Sequence, residues 1–129
     1  MKAITNGAVG ELLAARLLRS KGYTIVTANY RTRLGEIDII ACDLKYIVFA
    51  EVKTRSDHAL YQPREAVTAA KRKRILSAAK SFLKNYKTDM QPRFDVIEVW
   101  LPEDGEYLDC RENNHIMNAF DFDDLYGTV

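Results

Sequence analysis

Apolar residues in the first twenty positions recur at the helical spacing: Val9, Leu12, Leu13, Leu17 and Leu18 share one face. Asn6 stands where an N-cap would, and Gly22 follows the last periodic residue as a C-terminal stop would. The pattern predicts a helix over residues 7–20. The period then changes. Residues 23–28 are β-branched and aromatic and predict a strand, followed by a polar, Arg-containing connection over 29–35. Apolar runs at 37–41 and 46–52 predict two strands joined by a hairpin around Asp43-Leu44-Lys45. Residues 56–62 read as a loop. Pro63 opens a helical region that runs to about residue 86, continuous or broken near Thr68, with an apolar stripe of Ile75, Leu76, Ala79, Phe82 and Leu83. Residues 94–101 predict a fourth strand and 102–105 a turn, and residues 115–120 fit a short strand or a turn. No repeat, low-complexity segment or Gly/Ser/Pro linker divides the chain. The order helix, strand, strand, strand, helix, strand predicts one α/β domain over residues 1–129, a central mixed sheet flanked by helices. There is no glycine-rich phosphate loop. Gly7 and Gly10 lie on the first helix, where small residues let backbones approach closely.

Composition narrows the class. The hydrophobic fraction of 47% and the charged fraction of 29% are ordinary for a globular domain. No apolar run approaches the roughly 18 residues needed to cross a bilayer, so no membrane partner is expected. The N-terminal segment carries Glu11 and Arg16 and lacks the continuous apolar region of a secretory signal. Cys42 and Cys110 form no motif, and Cys42 ends an apolar strand pattern as a small buried hydrophobe would. A reducing cytoplasm is the expected compartment. The net charge of +1 hides an asymmetry. Residues 55–90 hold nine Lys or Arg against three Asp or Glu, whereas 91–129 hold two against ten. One basic segment in a balanced chain suggests a localised anionic partner, although both stretches could equally be solvated faces.

The chemistry concentrates in Gly35-Glu36-Ile37-Asp38 and Phe49-Ala50-Glu51-Val52-Lys53. A hairpin centred between Leu44 and Lys45 sets Asp38 directly opposite Glu51, where side chains share a face about 4.5–5.5 Å apart. Like charges so placed repel unless a cation sits between them. Period-2 alternation puts Lys53 on the same face. Two carboxylates and an ammonium on one face suit metal-assisted phosphodiester hydrolysis, with Mg²⁺ or Mn²⁺ as the ion. The plainer alternative is a structural ion pair in which Lys53 neutralises one carboxylate; the same register also sets Glu36 opposite Lys53, so a cross-strand salt bridge could explain part of the pattern. Glu11 has Gly7, Ala8, Ala14 and Ala15 as helical neighbours, a small surface that would let its carboxylate reach Asp38. It could equally be a first-turn glutamate favoured by the helix dipole. Arg31, Arg33 and Arg55 flank the acidic residues and suit phosphate binding. Lys71 lies in the N-terminal half of the basic helix, and Lys73, Lys80, Lys84 and Lys87 form a stripe that could follow a phosphate backbone. His58 and His115 form no ligand spacing with each other. Tyr30 and Tyr61 could stack on a base but more commonly would pack.

Gly10-Glu11, Gly22-Tyr23, Asn29-Tyr30-Arg31, Gly35-Glu36-Ile37-Asp38-Ile39-Ile40 and Val48-Phe49-Ala50-Glu51-Val52-Lys53-Thr54-Arg55 resemble the YraN-like family, UPF0102. The resemblance continues through Lys71, Phe82-Leu83, Arg93-Phe94-Asp95-Val96 and Asn118-Ala119-Phe120. It implies a restriction-endonuclease-like fold, similar to archaeal Holliday-junction resolvases. That superfamily's signature is an Asp followed by Glu-x-Lys, often with a Glu on the first helix; those roles fall on Asp38, Glu51, Lys53 and Glu11. Where the superfamily often has Pro before the Asp, this chain has Ile37. The expected activity is a metal-dependent nuclease acting on DNA, including branched or structured DNA. Asp38 and Glu51, helped by the Val52 carbonyl, would be the metal ligands. Lys53 would orient water or neutralise the scissile phosphate. Arg31, Arg33, Arg55, Lys71, Lys73, Lys80 and Lys84 would hold the nucleic acid. Two other classes stay open: a nucleic-acid-binding accessory protein without efficient catalysis, and a protein-interaction domain using the acidic C-terminal stretch. A homodimer is left open as well.

Overall fold

The computed structural model describes residues 5–55, 67–101 and 113–123. Seven elements run in the order α1 (Asn6–Ser20), β1 (Thr24–Arg31), β2 (Glu36–Cys42), β3 (Tyr46–Arg55), α2 (Ala69–Asn85), β4 (Gln91–Trp100) and β5 (Asn113–Phe120). The five strands form one sheet in sequence order. β1, β2 and β3 are an antiparallel meander, β4 joins β3 in parallel, and β5 returns antiparallel on β4. A parallel neighbour requires a crossover, and α2 lies in the chain between β3 and β4. The α/β class and its mixed sheet are as the sequence predicts.

The two helices cover opposite faces. Ile39, Ala41, Val48, Ala50, Ile97 and Val99 pack with Ala14 and Leu18 of α1. Ile40, Ile47, Phe49, Phe94 and Val96 pack with Ile75, Leu76, Ala78 and Ala79 of α2. The alternation along β3, with Ile47 and Phe49 on one face and Val48 and Ala50 on the other, is the period-2 signature of a strand buried on both sides. Two glycines set how closely the layers meet. A Cβ on Gly10 would collide with the Thr54 side chain, so α1 lies almost on the end of β3. A Cβ on Gly35 would collide with the backbone carbonyl of Arg74, so the β1–β2 turn docks directly on α2.

Several boundaries differ from the sequence reading. The N-cap is Thr5, whose hydroxyl accepts from the Ala8 amide at 3.1 Å; Asn6 is the first helical residue. β1 extends three residues past the predicted end, to Arg31, because the chain absorbs polar Asn29 in a left-handed conformation (φ 53°) and carries a bulge between Ile25 and Thr27. The connection is therefore only Thr32 to Gly35. Within it the Thr32 hydroxyl accepts from the Leu34 and Gly35 amides, each at 3.1 Å. β4 begins at Gln91, three residues early, and Lys87 lies beyond the end of α2. The late segment is a strand of eight residues. The predicted 56–62 loop, the Pro63 helix start and the 102–105 turn lie outside the described residues, as do His58, Tyr61 and Cys110.

One buried polar network ties β5 to the sheet. Asp95 is fully buried and accepts from Arg93 through both oxygens, at 2.9 and 2.8 Å. It also accepts from the Asn118 amide at 3.0 Å and contacts His115 Nε2 at 2.7 Å. Lys21 Nζ lies 2.8 Å from His115 Nδ1, so both ring nitrogens are occupied. Burial pushes the Asp95 carboxyl up, but the hydrogen bonds from His115, Arg93 and the Asn118 amide outweigh it and hold the group below the usual range.

Candidate metal and nucleic-acid site

The β2–β3 hairpin has the register that a centre between Leu44 and Lys45 requires: Cys42 faces Ile47 and Ile39 faces Ala50. Asp43 shapes the turn, accepting from the Lys45 amide at 2.8 Å and the Tyr46 amide at 2.6 Å. The ladder of paired residues runs no further than Ile39 and Ala50. One step beyond it stand Asp38 and Glu51. There the Asp38 carboxylate accepts the Val52 N–H at 2.8 Å, so a side chain satisfies the β3 amide just where the strand ladder stops.

Glu51 is buried, with only 4% of its surface exposed. Burial and the Asp38 charge beside it push its carboxyl up to about 7, against the opposing pull of Lys71. Two ammonium groups approach the same Glu51 oxygen: Lys71 Nζ from α2 at 2.5 Å and Lys53 Nζ from β3 at 3.9 Å. The Lys71 pKa is raised, chiefly by its hydrogen bond to Glu51. That of Lys53 is lowered, by burial first and by neighbouring Lys71 second. Asp38, Glu51 and Lys53 therefore come together, and α2 adds a second lysine to them. Glu36, opposite Lys53 in the same register, pairs instead with Arg31 at 3.4 Å.

Glu11 arrives from α1. Its carboxyl is raised by burial and by the Asp38 charge, opposed by a hydrogen bond from the Asn29 side chain. It is close enough to feel the Asp38 charge, yet among the described residues no three His, Cys, Asp or Glu side chains form a group that could hold a metal. Asn29 is flanked in the β1–β2 register by Ala28 facing Ile39 and Tyr30 facing Ile37, which places it across from Asp38. A non-glycine residue with positive φ inside a strand is uncommon and clusters at functional sites. In the sequence an asparagine beside a polar run reads only as a strand end, so Asn29 carries no signal there of a place at the site.

A cleft of about 630 Å³ is lined by Arg31, Arg33, Lys71 and Arg74 together with the Thr32–Glu36 turn and Ile75, and Lys71 links it to Glu51. Arg74 is an addition to the sequence reading; one turn of helix from Lys71, it shares that side of α2. Arg55 is directed elsewhere, 3.8 Å from Glu98 with its side chain 19% exposed. Lys73, Lys80 and Lys84 are exposed, about half a turn around α2 from Lys71. Tyr30 packs edge-on against Phe82, with ring centroids 5.2 Å apart.

Fold and site define a class, a mixed α/β domain with an Asp and a Glu-x-Lys brought together where two strands part. Residues 10–99 match the family described as Uncharacterised protein family UPF0102. A UPF0102 protein of Caldanaerobacter subterraneus subsp. tengcongensis is 45% identical over 118 residues, covering 90% of this chain and 94% of its own. One from Alkaliphilus oremlandii is 48% identical over 117 residues, covering 88% and 96%. One from Clostridioides difficile is 45% identical over 115 residues, covering 88% and 95%. The chain belongs to the UPF0102 family. None of these names carries an activity. Among the described residues no helix is long and apolar enough to cross a membrane.

Proposed function

We propose that this chain is a metal-dependent nuclease of the restriction-endonuclease-like fold that hydrolyses phosphodiester bonds in DNA. The observation that carries the reading is the Asp38–Glu51 juxtaposition at the parting of β2 and β3. A buried carboxylate pressed against a second one is costly unless a cation joins them. The donor set fits a hard ion: carboxylate oxygens suit Mg²⁺ or Mn²⁺, which also retain waters. Asp38 and Glu51 would hold it. Bound there, the ion supplies Lewis-acid charge and acidifies water.

The chain's own residues supply the remainder. The Val52 amide fixes the Asp38 carboxylate. Lys53, its ammonium destabilised by burial and by Lys71, sits where it can orient an attacking water or neutralise the scissile phosphate. Arg31, Arg33, Lys71 and Arg74 line the cleft along which a phosphate backbone would lie, and such contacts position DNA without reading its sequence. Glu11 contributes from the edge of the site, acting on Asp38 through charge or through water.

The specific observation favouring a second reading, a structural ion cluster, is the pair of lysines on Glu51. Against it, Asp38 sets a second negative charge beside Glu51, which a cluster built only to balance Glu51 has no need of. The test is the purified protein with Mg²⁺ and Mn²⁺ on linear duplex, single-stranded, flap and four-way DNA, beside an Asp38→Ala variant. Cleavage by wild type, lost in the variant while DNA binding persists, is the expected result. Binding without cleavage under either ion would make the protein a DNA-binding accessory, and no affinity for any DNA would leave a protein-interaction domain.

A further inference from the structure

Lys71 belongs to two places at once. Its ammonium lies against Glu51, in the position of the cation that the carboxylate pair requires, and the same side chain lines the cleft with Arg31, Arg33 and Arg74. It is also at an electrostatically poor position for a lysine. Thr68 caps α2, accepting from the Lys71 amide at 3.2 Å, so Lys71 sits in the first turn, at the positive end of the helix dipole. That turn holds no acidic residue. A cation there is destabilising unless an anion faces it; Glu51 is that anion in this structure.

We propose that Lys71 is an exchangeable cation, resident on Glu51 in the metal-free protein and transferred to the phosphate cleft when a divalent ion arrives, so that metal and DNA bind cooperatively. The inference rests on the metal-site reading above. A divalent ion joined to Glu51 repels an ammonium at hydrogen-bond distance, and the four-carbon stem of a lysine lets the charge swing away. On the cleft side it meets Arg31, Arg33 and Arg74, with a single carboxylate, Glu36, that is already paired with Arg31. Moving there is unfavourable while the cleft is empty and favourable once a phosphate fills it. Each ligand therefore lowers the cost of binding the other, and linkage makes the effect reciprocal.

The test is calorimetric titration of Ca²⁺ into wild type, Lys71→Met and Lys71→Arg, each alone and saturated with a short DNA duplex. The duplex's own Ca²⁺ uptake is subtracted. All titrations are run at one mildly alkaline pH. Wild type should bind Ca²⁺ about tenfold more tightly with the duplex present, a typical coupling. Lys71→Met should bind Ca²⁺ several-fold more tightly than wild type without DNA, having lost the competing cation, and should gain little from the duplex. Lys71→Arg keeps the cation and should keep the coupling. Lys71→Gln carries the same test if the methionine variant fails to fold. Unimproved Ca²⁺ affinity in Lys71→Met, or undiminished coupling, would overturn the exchange and leave the metal site standing. Absence of Ca²⁺ binding in every protein would remove the metal-site reading, and the exchange with it.

Discussion

Glu51 is the residue on which burial, repulsion and two lysines act together, and its protonation has a definite sign. Its folded pKa of about 7 lies above the ordinary 4.5, so the fold prefers the protonated form. That contribution is full below about pH 4.5 and is lost as pH rises through about 7, by roughly 3 kcal/mol at most. Urea unfolding of the metal-free protein should therefore show falling stability across this interval, and Glu51→Gln should flatten the slope. A divalent ion needs the ionised form, so Mn²⁺ should restore stability above neutral pH. Asp38 gives a complementary expectation. An asparagine can still accept the Val52 amide but carries no charge against Glu51. Asp38→Asn should leave the metal-free protein equally or more stable, whereas Asp38→Ala orphans the amide and should cost about 1–3 kcal/mol. An ion-cluster role predicts instead that Glu51→Gln destabilises the metal-free protein at every pH, because Lys53 and Lys71 lose the carboxylate they share.

At the scale of elements, the β1–β2 turn and α2 form the cleft because Gly35 lets them touch. Gly35→Ala drives a Cβ into the Arg74 carbonyl and should destabilise by about 1–3 kcal/mol. It should also weaken DNA binding, since Lys71 and Arg74 ride on the displaced helix. Gly7→Ala, near only the Thr5 hydroxyl, should be neutral or stabilising by up to about 1 kcal/mol. Urea midpoints of the two variants check both statements. The hairpin register was legible in the sequence because turn chemistry at Asp43 and the period-2 pattern agree. The extent of β1 was not, because a left-handed Asn29 inside a strand has no sequence signature distinct from a strand end. Lys71 was readable as a helical lysine, but helical period cannot say which residue reaches across a sheet face. Arg93 and Asp95 stand two apart on one strand, the spacing of a same-face pair. Only the arrival of Tyr23, His115 and Asn118 from distant positions makes that pair the centre of a buried network.

For the whole molecule, the proposed function places the anion in the cleft lined by Arg31, Arg33, Lys71 and Arg74, not on the surface at large. DNA affinity should fall linearly with the logarithm of salt concentration, losing about 0.9 of slope for each phosphate contact removed. Replacing Arg31, Arg33 and Arg74 with Ala should flatten that slope more than replacing Lys73, Lys80 and Lys84, whose face lies about half a turn from Lys71. Equal losses would mean that the DNA wraps around α2. The central claim, a divalent ion held between Asp38 and Glu51, is tested most directly by scanning calorimetry of wild type and Asp38→Asn near neutral pH, with and without Mn²⁺. An ion that binds only the folded state raises the thermal midpoint, and at a hundredfold excess over its Kd it contributes about 2.7 kcal/mol. The wild-type midpoint should rise with Mn²⁺ and that of Asp38→Asn should not. A wild type indifferent to Mn²⁺, or a variant that responds as strongly, would contradict the account.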